Sequence, residues 1–94
     1  MNTKNTKYKK IRYEKLVSLG CICCQKMGFL DSPTEIHHIN EGRIGKRADF
    51  NKTIPLCVFH HRLGKESYHY SPKKFDAKWG TQKEILTLVN KMIN

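Results

Sequence analysis

Two histidine doublets constrain this chain most: His37-His38 and His60-His61, with Cys57 three residues before the first histidine of the second doublet. Upstream, Cys21 and Cys24 stand at Cys-x-x-Cys spacing, and Cys57 with His60 repeats the same two-residue gap. About thirty residues between the two pairs are enough to bring them together as a tetrahedral Cys3His shell. Zinc is the natural occupant, because thiolate and imidazole suit it and a closed four-ligand shell contributes to folding. Cys23 lies inside the first knuckle and replaces either neighbour only by breaking that gap, so it is not expected to be a ligand.

A staple of this kind matters at this size. A chain of 94 residues reads as one domain, and it buries only roughly 60 to 65% of the surface its unfolded form exposes. Four cysteines allow two disulfides as the alternative. No apolar run near the N-terminus looks like a signal peptide, however, and none approaches a membrane span. The expected setting is a soluble, reducing compartment, where a Cys/His pattern reads as metal.

A formal net charge of +10 and a pI near 9.7 point to a polyanionic partner, with nucleic acid the default. The alternatives are a solubility surface and an acidic membrane. The second is disfavoured, since no segment joins a basic face to exposed Trp, Phe or Leu on an apolar side.

Met1 to Lys10 is polar, rich in Asn, Thr and Lys, and reads as a short basic flexible arm ahead of one domain over residues 11–94. From about Lys9 to Ser18, Ile11, Tyr13, Leu16 and Val17 recur at roughly helical spacing, and Gly20 is placed to stop that helix before a tight turn at Cys21–Cys24. Glu35–Ile39 and Thr53–Cys57 read as two strands of a hairpin with a long connection, in which Glu41–Arg47 is a glycine-containing basic loop. A helical segment near Val58–Leu63 breaks at Gly64, and Gly64–Tyr70 reads as a loop. Ser71-Pro72 opens a helix that ends near Gly80. Thr81 and Glu84 have capping-box spacing, and Ile85, Leu88, Val89, Met92 and Ile93 then form an apolar helical stripe.

His37, His38, His61 and His69 are left over by the zinc shell. Any one of them alone reads best as a surface or phosphate-contacting residue. Four in and around one hairpin suggest a second, open site. In a helix His60 and His61 would differ by about 100° in direction, so one can close the zinc shell while the other faces a cleft.

The runs EIHHI, EGRIGKRADFNKTIPLC, VFHHRLG, SYH and KFDAKWGTQKEIL together resemble the HNH nucleases, and within them the phage recombination-enhancement nucleases whose activity depends on the RecA recombinase. The resemblance covers roughly Gly20 to Leu86. It implies a small α+β fold: a ββα-metal core with a zinc knuckle and flanking N- and C-terminal helices. It implies a metal-dependent DNA endonuclease or nickase that leaves 5′-phosphate and 3′-hydroxyl ends, encoded by a phage, acting in the cytoplasm of a bacterial host, with DNA and a RecA-type filament as partners. By position His38 is the general base, while His37, His61 and His69 hold a catalytic Mg²⁺ or Mn²⁺. Relative to the family spacing, Leu63–Glu66 reads as a small insertion before His69. Asn51 corresponds to the family asparagine one residue out of step, and Asp49 competes with it for the role of pinning the loop behind His38. Met1–Lys10 is shorter than the basic arm of the phage relatives.

Strict strand alternation sends His37 and His38 to opposite faces, so both reach one phosphate only if the strand ends, twists or bulges at the doublet. Arg43, Lys46, Arg47 and Arg62 are candidates to grip phosphates, with a merely solvated charged loop as the alternative. No arrangement suggests base-edge readout, so binding is expected to fall with salt. A non-catalytic zinc-stabilised nucleic-acid-binding module and an enzyme acting on structured RNA are the competing functions.

Overall fold

Thr81 and Glu84 start the last helix as their spacing predicts: the Thr81 hydroxyl accepts from the Glu84 amide and the Glu84 carboxylate accepts from the Thr81 amide. The computed structural model describes residues 3–39 and 50–94, with side chains from residue 6 onward. Along the chain lie α1 (Thr3–Leu19), α2 (Ile22–Lys26), β1 (Glu35–His38), β2 (Thr53–Leu56), a π-helix (Phe59–Leu63), α3 (Pro72–Trp79) and α4 (Gln82–Ile93). This is a small α+β arrangement. No helix among the described residues is long and apolar enough to cross a membrane.

The two strands pair antiparallel, with His37 opposite Ile54 and His38 opposite Thr53. All four residues of β2 are buried. Ile54 and Leu56 join Leu16, Ile22, Phe75, Ile85 and Val89 in one core, where each large apolar side chain contributes roughly 1.5 to 3 kcal/mol. The stripe on α4 is narrower than its sequence suggests, since Met92 is 43% exposed while Ile85 and Val89 are buried.

Two elements differ from expectation. The segment read as a basic arm is helical from Thr3 onward, so α1 begins well before Lys9. Its apolar residues are used unevenly: Leu16 is buried and Tyr13 and Leu19 pack against the core, but Ile11 and Val17 are exposed. Polar contacts add to the attachment, as the Arg12 guanidinium donates to the Thr53 hydroxyl at 2.9 Å and to the Thr53 carbonyl at 2.8 Å. The knuckle at Cys21 is the second difference. It opens a short helix, α2, instead of a turn.

Gly20 separates α1 from that knuckle with φ +78°, and a Cβ there would stand 3.1 Å from the Ser32 amide. A glycine is required on both counts. The connection containing Arg43, Lys46, Arg47 and Asp49 lies outside the described residues.

Candidate metal centres

Cys21 caps the N-terminus of α2, where its sulfur accepts from the Cys24 amide at 3.5 Å. Cys57 follows β2 and accepts from the His60 amide at the same distance. The two knuckles face each other, and ligand atoms of Cys21, Cys24, Cys57 and His60 all lie within 4.8 Å of one another. Donors on a tetrahedral zinc stand roughly 3.8 Å apart for two sulfurs and roughly 3.6 Å apart for sulfur and nitrogen. Cys24 Sγ and Cys57 Sγ are 3.8 Å apart, and His60 Nδ1 is 3.6 Å from both Cys21 Sγ and Cys24 Sγ. The Cys57 to His60 edge, 3.1 Å, is tighter.

The electrostatics suit a cation. The Cys23 thiol, buried in the core, donates to Cys21; with help from backbone amides and His60 it draws Cys21 down to about 4, while Cys23 is pushed up. Burial and the neighbouring Cys21 charge push Cys24 up to about 11. Adjacent thiolates repel, and a divalent ion between them removes that cost. The four side chains could hold a metal ion such as zinc, and Cys23 is not among them.

A second cluster forms on the other side of His60. The π-helix closes through the Gly64 amide, which donates to the Phe59 carbonyl at 2.8 Å. Any Cβ on Gly64 would fall 2.8 Å from that same oxygen, so a larger residue would open the turn. The loop after Gly64 then folds back along the π-helix, with the Tyr68 amide on the His60 carbonyl and the His69 amide on the His61 carbonyl, each at 3.0 Å. His69 thereby reaches His61 despite the longer spacing between them.

His37 Nδ1 lies 3.1 Å from His61 Nε2, which lies 3.1 Å from His69 Nε2. Donors about 2.1 Å from one cation stand roughly 3.0 Å apart in an octahedral shell and roughly 3.4 Å apart in a tetrahedral one. The far nitrogens of two rings are engaged: His37 Nε2 donates to Gln82 Oε1 at 2.6 Å, and His61 Nδ1 donates to Glu35 Oε1 at 2.8 Å. Two bare lone pairs therefore face each other, which favours a cation between them. Burial pushes His37 down to about 4 and also lowers His69, so both are neutral imidazoles fit to ligate.

Both supports have their own partners. Arg62 grips Glu35 through Nε and Nη2, at 3.1 and 3.0 Å, and together with His61 holds that carboxylate down to about 2. Gln82 is fixed in turn, because its Nε2 donates to the Tyr68 hydroxyl at 2.8 Å. Glu35 and Gln82 are the functional residues that sequence reasoning missed. Both sit within recognisable runs, EIHHI and WGTQ, yet no spacing rule ties them to an imidazole across the fold. Arg62, a phosphate-gripping candidate, spends its charge on Glu35, although 53% of its side chain is exposed.

His38 is not part of this cluster. Alternation holds to the end of β1: His37 is buried toward His61, while His38 is exposed on the opposite face, its Nε2 2.9 Å from the Tyr13 hydroxyl on α1. Burial, with Lys9 nearby, lowers its pKa. Asn51 lies exposed in the turn that leads into β2.

No curated protein matches this chain. The family described as "Recombination enhancement, RecA-dependent nuclease" matches it over residues 5–94, across both candidate metal clusters, and the chain belongs to that family.

Proposed function

We propose that the chain is a metal-dependent DNA endonuclease of the HNH, ββα-metal type that nicks DNA in recombination. It would act on DNA engaged by a RecA-type filament, in the cytoplasm of a bacterial host, as a phage-encoded enzyme. The observation that carries this reading is the convergence of His37 Nδ1, His61 Nε2 and His69 Nε2, with the far nitrogens of His37 and His61 committed to Gln82 and Glu35.

His37, His61 and His69 would hold Mg²⁺ or Mn²⁺ through neutral imidazoles. When bound, that cation offsets charge developing on the phosphate and the departing 3′ oxygen. His38 is the general base. In the tautomer whose Nε2–H donates to the Tyr13 oxygen 2.9 Å away, the Nδ1 lone pair is left to take a proton from the attacking water. His38 is the last residue of β1, so a strand of DNA lying over that end can touch it while its phosphate faces His37. Asn51 supports the turn behind His38, with Asp49 as its competitor. Cys21, Cys24, Cys57 and His60 hold structural zinc.

Nicking of supercoiled plasmid in a titration of Mg²⁺ or Mn²⁺, with and without a recombinase filament, tests this reading. His38→Ala is expected to lower cleavage roughly hundred-fold or more, with zinc content and melting temperature unchanged. His61→Ala is expected to abolish cleavage through loss of the cation and to be partly rescued at high divalent concentration. Equal nicking by wild type and His38→Ala would overturn the base assignment. Absence of cleavage by wild type under every condition would favour a non-catalytic zinc-stabilised nucleic-acid-binding module.

A further inference from the structure

The π-helix has two working sides. His61 faces the histidine centre, while Phe59 and Leu63 border a pocket of about 460 Å³ that Trp79 closes on the far side and that Lys65, Lys78 and Glu66 rim. Phe59 and Leu63 are 61% and 66% exposed, a large apolar surface to leave in water beside a charged rim. The His60 imidazole spaces the two aromatic walls, meeting Phe59 and Trp79 edge to face with ring centroids 5.5 Å away in each case. Because His60 also belongs to the cluster of Cys21, Cys24 and Cys57, the walls stand directly against that cluster.

We propose that this pocket receives an unpaired nucleobase of the strand being cut, a proposal that rests on the nuclease reading above. Aromatic walls stack on any base without reading its identity. Lys78 lies 5.2 Å from the centre of the Trp79 ring and pairs with Glu66 at 3.7 Å, so the one rim carboxylate is neutralised and Lys65 adds positive charge for the backbone. That rim, on a chain of net charge +10, fits a polyanion better than an apolar peptide.

The neighbourhood is the second support. Two of the segments lining the pocket run on into the histidine cluster within one or two residues, from His60 to His61 and from Ser67 to His69. A nucleotide next to the scissile phosphate is therefore within reach. A base paired and stacked in a duplex cannot enter, so the substrate class is DNA with single-stranded character at the cut.

Trp79 is the only tryptophan in the chain, and its fluorescence reports this pocket directly. Zinc-loaded protein without added Mg²⁺ or Mn²⁺ is titrated with a short oligodeoxythymidylate, with an oligonucleotide of equal length made of abasic residues, and with a duplex. Quenching by the thymidylate alone is expected. Phe59→Ala should weaken thymidylate binding roughly five- to hundred-fold and leave the abasic oligonucleotide unaffected. Phe59→Leu, which keeps the apolar bulk, should do the same should the alanine variant fail to fold. Equal quenching by abasic and base-bearing strands would overturn the proposal, as would Phe59 variants that bind a recombinase filament less well but keep full thymidylate quenching. Plasmid nicking without any quenching would sink the pocket alone, whereas quenching without nicking would support the pocket and sink the nuclease.

Discussion

Glu35 never touches the proposed cation, yet it decides which nitrogen of His61 can. With Arg62 holding the carboxylate well below the ordinary range, Glu35 stays anionic and keeps a proton on His61 Nδ1, so Nε2 is presented to the centre. Gln82 does the corresponding work for His37, whose presented nitrogen is Nδ1. Such supports typically change metal affinity ten- to hundred-fold, roughly as much as an outer ligand partner can. Glu35→Ala and Gln82→Leu are therefore expected to weaken Mn²⁺ binding by about that factor, read by titration calorimetry, while zinc content stays at the wild-type level. Wild-type Mn²⁺ affinity in both variants would mean that the rings are oriented by packing alone.

At the level of elements, the π-helix joins the two centres. Its second and third residues face opposite ways, His60 into the cluster with Cys21, Cys24 and Cys57 and His61 into the cluster with His37 and His69, so the geometry of one constrains the other. With zinc bound there as proposed, the folding free energy it supplies would become a requirement for the second site, because a core this small cannot replace it. Cys57→Ser is expected to lose zinc and its cooperative thermal transition, and to lose Mn²⁺ binding with them, although Cys57 contributes nothing to the histidine cluster. Chelation of zinc from the wild type should act alike. A sharp transition and full helicity in zinc-free protein, checked by elemental analysis and circular dichroism, would refute the coupling.

Over the whole molecule the excess of Lys and Arg sets the terms on which the proposed DNA binding would occur. Phosphate contacts release counterions, so affinity is expected to fall steeply between low and physiological salt. The double variant Arg43→Ala with Arg47→Ala should weaken binding to unrelated sequences alike, and the slope of log affinity against log salt should become shallower by roughly one for each phosphate that is no longer neutralised. Filter binding or anisotropy across a salt series measures both. A loss confined to one sequence would point to base readout instead.

Cysteine and histidine spacing was enough to group Cys21, Cys24, Cys57 and His60, whose ligand atoms the fold brings within 4.8 Å of one another, since a tetrahedral shell built from two knuckles tolerates few arrangements. The capping box of α4 and the proline-led start of α3 were legible for a similar reason: each depends on residues within one turn. Alternation alone likewise separated His37 from His38. Residue spacing did not reveal that α1 is helical from Thr3, where composition suggested an arm, or that Cys21 to Lys26 winds into a helix. Nor did it distinguish a π-turn from an α-turn at His60, which rests on Gly64 meeting the Phe59 carbonyl. The bonds from Glu35 to His61, Gln82 to His37 and Tyr13 to His38 span 26, 45 and 25 residues. Only tertiary structure decides such pairs, because their energy depends on the distance between side chains that local preference never brings together.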